Sequence, residues 1–176
     1  IPFGLVLTKI FLKKDIRKIG SGNIGATNVL RAGKKSLGIA TLILDALKAY
    51  VSVLITLSTF PDYIYFSALL CFLGHIYPIW LKFNGGKGIA VYVGILFAFS
   101  IYLALLFILN WIIVLYLSKY SSLSSLISTL IIFLYSITLS NFNMSLFFFI
   151  TFIIIVFTHK ENILRLKNKS ENKTKF

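Results

Sequence analysis

The chain has 176 residues, of which 58% are hydrophobic and only 13% are charged. Soluble domains are about half apolar and about a quarter charged, so this balance excludes an ordinary soluble domain and predicts an integral membrane protein. The 18 Lys and Arg residues outnumber the 5 Asp and Glu residues and give a net charge of +13. In so apolar a chain we assign this excess to cytoplasmic anchoring or to binding of anionic substrates and lipid head groups, and not to nucleic acid.

Apolar runs divide the chain into predicted membrane helices. The first run, 1–12, covers roughly 18 Å and cannot span a hydrocarbon core about 30 Å thick, so we expect it to be the end of a helix that starts before residue 1. A polar segment over 13–37 follows it. Six further helices are predicted: 38–60, 63–81, two short helices within 89–117 that turn near Ser100, 123–139 and 144–158. The sequence therefore predicts an all-α protein with seven transmembrane helices.

The positions of the basic residues favour two short helices over one long helix in 89–117. Sixteen of the 18 basic residues fall in four segments: 13–37, 82–88, Lys119 and 160–175. Two helices place all four segments on one side of the membrane, as the positive-inside rule expects, with the N-terminus outside and the C-terminus in the cytoplasm. One long helix would leave the basic tail outside. We therefore predict a single polytopic membrane domain over 1–176, with the two halves of 89–117 short for full spans.

The first polar cluster lies in 20–31 and has the residue types of an anion site. Gly20, Gly22 and Gly25 allow backbone N–H groups to approach an anion as a nest, and Arg31 can place a guanidinium fork on a phosphate. Hydrogen bonds to the anion are expected from three polar side chains: Ser21, Asn23 and Asn28. The segment is not a Walker A loop, which requires Gly-Lys followed by Ser or Thr. From the residue pattern alone, the alternative is a flexible juxtamembrane loop whose basic residues bind lipid.

The second cluster joins His75 to a glycine-rich segment that opens the next predicted helix. Gly85, Gly86, Lys87 and Gly88 follow one another there. Such a helix start offers N–H donors, the positive end of the helix dipole and an ammonium group together, which predicts an anion site. The alternative is a tight turn with a snorkelling lysine. Taken alone, His75 fits a packing or interfacial role better than that of a catalytic base.

The third cluster follows the last predicted membrane helix. His159, Asn162 and Arg165 are spaced three residues apart, which places them along one face of a helix. Taken alone, this segment is better interpreted as a solvated basic tail.

Two charged residues lie inside a predicted membrane helix. Asp45 and Lys48 are one turn apart and about two turns into the segment 38–60. Charges at such depth are costly, so they indicate either a site or substrate-facing groove, or a pair that neutralises itself near the interface.

Taken together, the three clusters resemble the cytoplasmic motifs of the bacterial acyl-phosphate:glycerol-3-phosphate acyltransferases, the PlsY-type enzymes. The resemblance covers essentially the whole chain, including Asp45 with Lys48, and all motifs occur in order. They read Gly-Ser-Gly-Asn-Ile-Gly-Ala-Thr-Asn-Val-Leu-Arg at 20–31, Gly-His-Ile-Tyr-Pro at 74–78 with Phe-Asn-Gly-Gly-Lys-Gly at 83–88, and His-Lys-Glu-Asn-Ile-Leu-Arg-Leu at 159–166. One departure is Lys169, which stands where the family pattern has a glycine two residues before Glu171.

This resemblance implies an enzyme of the bacterial inner membrane whose active site faces the cytoplasm. It would transfer a fatty acyl group from acyl phosphate to the sn-1 hydroxyl of glycerol 3-phosphate, giving lysophosphatidic acid and phosphate. Because acyl phosphate is a mixed anhydride, its carbonyl is already activated, and neither a strong base nor a metal or other cofactor is expected. The implied partners are the two substrates, membrane lipids and an upstream enzyme that forms acyl phosphate.

Site roles follow from the resemblance and from the residue chemistry together. Positioning of phosphate and stabilisation of charge are assigned to Ser21, Arg31, Lys87 and Asn162, with His159 as a further catalytic candidate. Substrate binding is assigned to nine residues: Gly22, Asn23, Gly25, Asn28, His75, Gly85, Gly86, Gly88 and Arg165. His159 and His75 can orient a substrate or steer the hydroxyl proton, and a substrate phosphate can take that proton itself.

Two other functions remain open at this stage. The first is a non-enzymatic membrane transporter or anionic-lipid-binding protein, in which the basic loops only hold head groups. The second, a CDP-alcohol phosphotransferase, is disfavoured because the three aspartates, Asp15, Asp45 and Asp62, do not form its metal-binding pattern.

Overall fold

The computed structural model describes residues 1–32 and 34–174, and every regular element in these residues is helical. By their contacts the chain divides into two compact units, Ile1–Ala98 and Phe99–Phe176. The prediction of a single domain over 1–176 concerns the whole chain and stays a prediction.

Within the described part of the chain, four helical segments are long and apolar enough to cross a membrane: Lys35–Thr59, Pro61–Leu81, Ile101–Ser118 and Ser121–Thr138. A fifth candidate is the pair Phe142–Thr158 and Lys160–Lys167, which is bent by 60°. The helices Phe3–Leu12 and Ile89–Phe99 are apolar but shorter. The described residues therefore confirm an all-α architecture with four or five candidate membrane spans, whereas the count of seven spans and the sides of the termini stay predictions.

The first unit is built around one long helix. Its α-helices are α1 (Phe3–Leu12), α2 (Ala26–Arg31), α3 (Lys35–Thr59), α4 (Ile64–Ile76) and α5 (Ile89–Phe99). Helix α3 packs against α1, α2 and α4. Helix α5 also approaches α3 closely, because a Cβ added to Gly94 would lie 2.0 Å from the Ala46 carbonyl oxygen. Close backbone contact through small residues is the usual way in which membrane helices associate.

A small apolar core fixes the loop between α1 and α3. It consists of the buried side chains of Leu5, Ile16, Ile24, Val29 and Leu37. Leu81, which follows α4, packs against the same core. The core therefore brings the segment after α4 to the base of the first cluster.

Helix α4 ends at Ile76, five residues before the end of the predicted run 63–81. The cause is Pro78, since the residue before a proline is driven out of the helical region. Tyr77 accordingly has φ −120° and ψ 56°. A short 3₁₀ turn, Ile79–Leu81, continues the chain before the glycine-rich segment.

The second unit contains α6 (Ile101–Ser118), α7 (Ser121–Thr138), α8 (Phe142–Thr158) and α9 (Lys160–Lys167). The predicted break near Ser100 is present: Ser100 is extended and its hydroxyl oxygen accepts the N–H of Tyr102 at 3.2 Å. Whether α5 and α6 form the predicted hairpin stays a prediction.

Helix α7 carries a buried face of small hydroxyl side chains. Its Ser125 Oγ accepts the indole N–H of Trp111 on α6 at 3.1 Å, and its Ser136 carbonyl accepts the hydroxyl of Ser145 on α8 at 3.0 Å. These small residues let α6 and α8 approach α7, and the bonds satisfy polar groups away from water.

Candidate functional site

Asn28 holds the first cluster together. Its buried side-chain amide donates to the carbonyl oxygens of Ile19 at 2.9 Å and Asn23 at 2.8 Å, and its Oδ1 accepts the N–H of Ser21 at 2.9 Å. Gly20 has φ +58°, and a Cβ there would lie 2.3 Å from Asn28 Oδ1, so the fold requires a glycine at this turn. These contacts show that Asn28 shapes the loop, while its predicted contact with substrate stays a prediction.

Three backbone N–H groups of the loop are used inside the loop. The N–H of Ser21 goes to Asn28, that of Gly22 donates to the Ile19 carbonyl at 3.0 Å, and that of Gly25 donates to Asn23 Oδ1 at 2.8 Å. The expectation that N–H groups of this loop form an anion nest is therefore wrong for these three residues. These three N–H groups are therefore engaged within the loop, and the substrate contacts of Gly22, Asn23 and Gly25 stay predictions.

Ser21 and Arg31 are the exposed polar members of the first cluster. Within the described residues the Ser21 hydroxyl makes no hydrogen bond, so it can donate to a ligand. Arg31 lies at the end of α2. Both are therefore placed on the outer side of a loop that Asn28 holds rigid.

A second arginine in the same loop has a structural task. The Arg17 guanidinium donates to the Asp15 carboxylate from Nε at 3.0 Å and from Nη2 at 2.6 Å. The backbone N–H of Arg17 donates to Asp15 Oδ1 at 3.0 Å. The hydrogen-bonded Arg17 guanidinium holds the pKa of Asp15 well below its usual range. The guanidinium of Arg17 is therefore engaged with Asp15 and fixes the entry to the loop.

The glycines of the second cluster allow a close return of the chain along the end of α4. The N–H of Gly85 donates to the Ile76 carbonyl at 3.0 Å, and the N–H of Gly86 donates to the His75 carbonyl at 3.1 Å. A Cβ on Gly85 would lie 2.1 Å from the His75 carbonyl oxygen, and a Cβ on Gly86 would lie 2.1 Å from His75 Nε2. The N–H groups of these two glycines are thus occupied, so the prediction of free donors is wrong for Gly85 and Gly86.

Gly88 and Lys87 complete the segment before α5 begins at Ile89. Gly88 has φ +88°, and a Cβ there would lie 2.4 Å from the Phe72 ring, so a larger residue would be strained and would collide. Lys87 is partly buried between these glycines. Its contacts with substrate, like those of the three glycines, stay predictions.

Asp45, Lys48 and His75 form a buried polar network in the first unit. Lys48 Nζ lies 2.5 Å from Asp45 Oδ1, 3.0 Å from His75 Nδ1 and 2.7 Å from the Ile1 carbonyl oxygen. The side chains of Asp45 and His75 are only 2% and 4% exposed. The pair predicted from the sequence therefore includes a third member, His75, which lies on α4.

His159 stands at the bend between α8 and α9 and is buried. Its Nδ1 lies 2.8 Å from the Ile155 carbonyl oxygen. A carbonyl only accepts, so Nδ1 carries the proton, and in the neutral ring Nε2 is the acceptor. An acceptor at Nε2 is compatible with the predicted catalytic role of His159, which stays a prediction.

Glu171 organises the third cluster. It accepts from Asn162 Nδ2 at 2.6 Å, from Arg165 Nε at 2.7 Å and from the Ser122 hydroxyl at 2.9 Å. Burial raises the pKa of Glu171, but the hydrogen bonds from Arg165, Asn162 and Ser122 outweigh it and leave the pKa below its ordinary value. Sequence reasoning had left this residue without a role.

The departure from the family pattern at Lys169 has a structural meaning. Lys169 has φ +55°, a left-handed conformation that glycine adopts without strain. It makes the turn that returns Glu171 to α9 and α7. The turn therefore keeps the geometry that a glycine would favour although a lysine occupies it.

The described residues supply cations, amides, hydroxyls and two histidines, which suit binding of phosphate oxygens and handling of one proton. Within 1–32 and 34–174 no three His, Cys, Asp or Glu side chains are grouped as ligands for a metal ion.

Comparison with known proteins gives a consistent result. A family model described as glycerol-3-phosphate acyltransferase matches residues 1–169. A protein of Pelagibacter ubique named glycerol-3-phosphate acyltransferase is 60% identical over 175 residues, which cover 99% of this chain and 91% of the relative. A protein of the same name from Bradyrhizobium diazoefficiens is 45% identical, over 98% of this chain and 88% of the relative.

Two crystal structures of PlsY (YgiH), described as an integral membrane glycerol 3-phosphate acyltransferase, have the same fold. The glycerol 3-phosphate form superposes with a TM-score of 0.95 and the lysophosphatidic acid form with 0.91. Each is 36% identical and covers 99% of this chain and 89% of the crystallised chain.

Proposed function

Because this chain belongs to the glycerol-3-phosphate acyltransferase family, we propose that it acylates glycerol 3-phosphate to lysophosphatidic acid with acyl phosphate as the donor. The sn-1 hydroxyl oxygen attacks the carbonyl carbon of the acyl phosphate, and the bond from that carbon to the phosphate oxygen breaks. The products are lysophosphatidic acid and inorganic phosphate. The hydroxyl proton passes to a substrate phosphate oxygen or to His159.

In the first unit the proposed task is to hold phosphate. Arg31 offers a planar fork of donors, Lys87 an ammonium group, and Ser21 a hydroxyl that is exposed. These groups neutralise negative charge that shifts onto the leaving phosphate as the bond from the carbonyl carbon to the phosphate oxygen breaks. Asn28 and Gly20 keep the first loop in one shape, so little ordering is needed when a substrate binds.

In the second unit the proposed task is to orient a substrate and to receive a proton. His159 holds its acceptor nitrogen at Nε2, because Nδ1 is engaged with the Ile155 carbonyl. Asn162 is held by Glu171 through one amide hydrogen, which fixes the direction of the rest of its amide. Arg165 shares that anchor, so Glu171 positions both side chains.

The donor assignment rests on the partner of His159. Enzymes that must activate a hydroxyl strongly pair the catalytic histidine with a carboxylate. Here Nδ1 lies 2.8 Å from the neutral Ile155 carbonyl oxygen and 3.3 Å from the Thr158 hydroxyl, and neither histidine is followed by an Asp after four intervening residues. So modest a base suits a mixed anhydride, which is already activated, better than a less reactive thioester.

We place the protein in the bacterial inner membrane with seven spans and with its three clusters facing the cytoplasm. Support comes from the segregation of the basic residues and from the apolar helices, including the two short ones, Phe3–Leu12 and Ile89–Phe99. Acyl phosphate carries a chain that stays in lipid and a head group that stays in water. An enzyme that forms acyl phosphate is the expected upstream partner.

The test uses the purified full chain in detergent with acyl phosphate and glycerol 3-phosphate, and it measures lysophosphatidic acid and phosphate. We expect the two products in equal amounts, and little product when acyl-CoA replaces acyl phosphate at equal concentration. Comparable product from both donors would overturn the donor assignment. Binding of the substrates without lysophosphatidic acid would favour a non-enzymatic lipid-binding protein instead.

A further inference from the structure

The buried network around Lys48 determines which nitrogen of the His75 ring carries the proton. An ammonium group has three N–H donors and no lone pair. Around Lys48 Nζ stand three groups: the Asp45 carboxylate at 2.5 Å, the Ile1 carbonyl oxygen at 2.7 Å and His75 Nδ1 at 3.0 Å. The first two only accept. The third proton therefore points to His75, and the Nδ1 atom has to accept it.

Other proton arrangements fit this geometry less well. A neutral lysine amine has two N–H donors and would leave the Asp45 carboxylate without its cation, deep in a membrane helix. A direct bond from His75 Nδ1 to Asp45 is excluded by their distance of 3.8 Å. An ammonium satisfies the Asp45 carboxylate, the Ile1 carbonyl and His75 Nδ1 together.

A neutral imidazole that accepts at Nδ1 carries its proton on Nε2. Within the described residues no acceptor is bonded to this Nε2, although the side chain is only 4% exposed. The atom faces Gly86, since a Cβ there would lie 2.1 Å from Nε2, and Lys87 is the next residue. The donor is therefore directed at the segment to which phosphate binding is assigned.

We infer that Lys48, held by Asp45, fixes His75 as the tautomer protonated on Nε2, and that this N–H donates to a phosphate oxygen bound beside Lys87. This inference deepens the proposed function and rests on it for the ligand. Lys48 and Asp45 are then positioning residues, and His75 is a donor and not a base. The two histidines hold opposite tautomers, because His159 keeps its proton on Nδ1.

Nitrogen-15 NMR of the full chain with labelled histidine rings tests the inference directly. Only two histidines contribute, and a His159→Asn sample assigns the ring of His75. We expect a neutral His75 with a protonated Nε2 and an unprotonated Nδ1. A proton on Nδ1, or on both nitrogens, at neutral pH overturns the inference without any variant of Lys48 having to fold.

Variants of Lys48 then link the tautomer to the reaction. Lys48→Met removes the donor to Nδ1, so we expect a mixture of tautomers and a kcat lower by about tenfold or more. Lys48→Arg keeps a permanent cation and should retain the Nε2 proton and more of the activity. Lys35→Met is the matched control, because Lys35 begins the same helix and is exposed. An unchanged tautomer or an unchanged kcat in Lys48→Met overturns the positioning role.

The ligand is tested with one substrate at a time, so that no turnover occurs. Glycerol 3-phosphate alone and acyl phosphate alone are added to the labelled protein. A shift of the His75 Nε2 signal with one of them identifies the source of the phosphate oxygen, and no shift with either overturns the donor role. Because the tautomer is read without turnover, a protein that forms no lysophosphatidic acid would refute the proposed function and still leave the tautomer decided.

Discussion

Arg31 and Lys87 are the cations that the proposed reaction assigns to phosphate, and losing such a contact typically costs about 2.7–4 kcal/mol in the barrier. We expect turnover to fall about a hundredfold or more in Arg31→Ala and in Lys87→Ala. Arg31→Lys should also be poor, because an ammonium cannot reproduce the two parallel bonds of a guanidinium. Initial rates of lysophosphatidic acid formation measure the effect.

The control for these variants is Lys34→Ala, which removes an exposed charge close to Arg31 in the sequence. It should stay within a few-fold of the parent at matched expression and extraction. If Lys34→Ala loses as much activity as Arg31→Ala while both remain folded, the basic residues act as a diffuse field and the assignment to Arg31 fails.

Glu171 gives a second prediction at this scale. Glu171→Gln replaces a carboxylate that accepts three hydrogen bonds by an amide that has donors of its own. We expect the free energy of unfolding to fall by about 1.5–3 kcal/mol and kcat to fall with it, since Asn162 loses its anchor. Glu161→Gln is the control, because Glu161 is 73% exposed and its carboxylate comes no closer than 3.7 Å to Arg165, so this ion pair is weak. Equal losses in the two variants would contradict the anchoring role.

The same residue predicts a pH dependence. The pKa of Glu171 in the folded protein lies below its ordinary value of about 4.3. Its carboxylate therefore contributes stability above that ordinary value, and the contribution is lost as the pH falls through the folded-state pKa. Thermal unfolding from pH 6 to about pH 3 should show this acid loss in the parent and a weaker loss in Glu171→Gln.

Among the elements, the helices were predictable and the loops were not. Long apolar runs specify α3, α6 and α7 directly, and the break at Ser100 follows from the distribution of basic residues. The role of Asn28 was missed because its bonds reach carbonyl groups 5 to 12 residues earlier, which leaves no periodic pattern. Glu171 was missed because its partners come from α7 and α9. The left-handed turn before it was also not predictable, because Lys169 occupies the position where a glycine would have indicated such a turn.

The glycine-rich segment shows that the reason for a glycine can differ from the one that the sequence suggests. The sequence indicated free N–H donors at Gly85 and Gly86, whereas both N–H groups pair with the end of α4. The glycines are needed because the chain passes too close to His75 for a side chain. Such a requirement depends on a tertiary contact, which residue types alone do not specify.

This contact gives a prediction with a neighbouring control. In Gly86→Ala the new Cβ would lie 2.1 Å from His75 Nε2 and 2.8 Å from Cε1, so the ring or the segment has to move. We expect a lower melting temperature and a kcat reduced about tenfold or more. A Cβ on Gly74 would meet nothing within 4 Å, and alanine favours a helix by roughly 0.5–1 kcal/mol, so Gly74→Ala should keep activity and stability. Full activity in Gly86→Ala would refute the close contact.

At the scale of the whole molecule, the sequence predicts topology from charge alone. Helix lengths do not decide it, because Phe3–Leu12 and Ile89–Phe99 are short for full spans. The prediction comes from the positive-inside rule, since Lys119 and the basic tail reach the same side as 13–37 only when 89–117 crosses twice. The position of the α6–α7 connection is therefore the most informative point in the chain.

Single cysteines in a Cys71→Ala background test this topology in intact cells with a reagent that does not cross the inner membrane. Because each basic segment is expected on the cytoplasmic side, cysteines at Asn84, Ser121 and Ser170 should be protected until the membrane is permeabilised. Cysteines at Asp62 and Asn141, in turns without basic residues, should react at once. If Asn84 is protected and Ser121 is labelled from outside, then 89–117 crosses only once, and His159 and Asn162 would follow a helix that delivers them to the outer side. That result would separate the third cluster from Arg31 and Lys87 by a membrane, and the proposed reaction would lose its second group of residues.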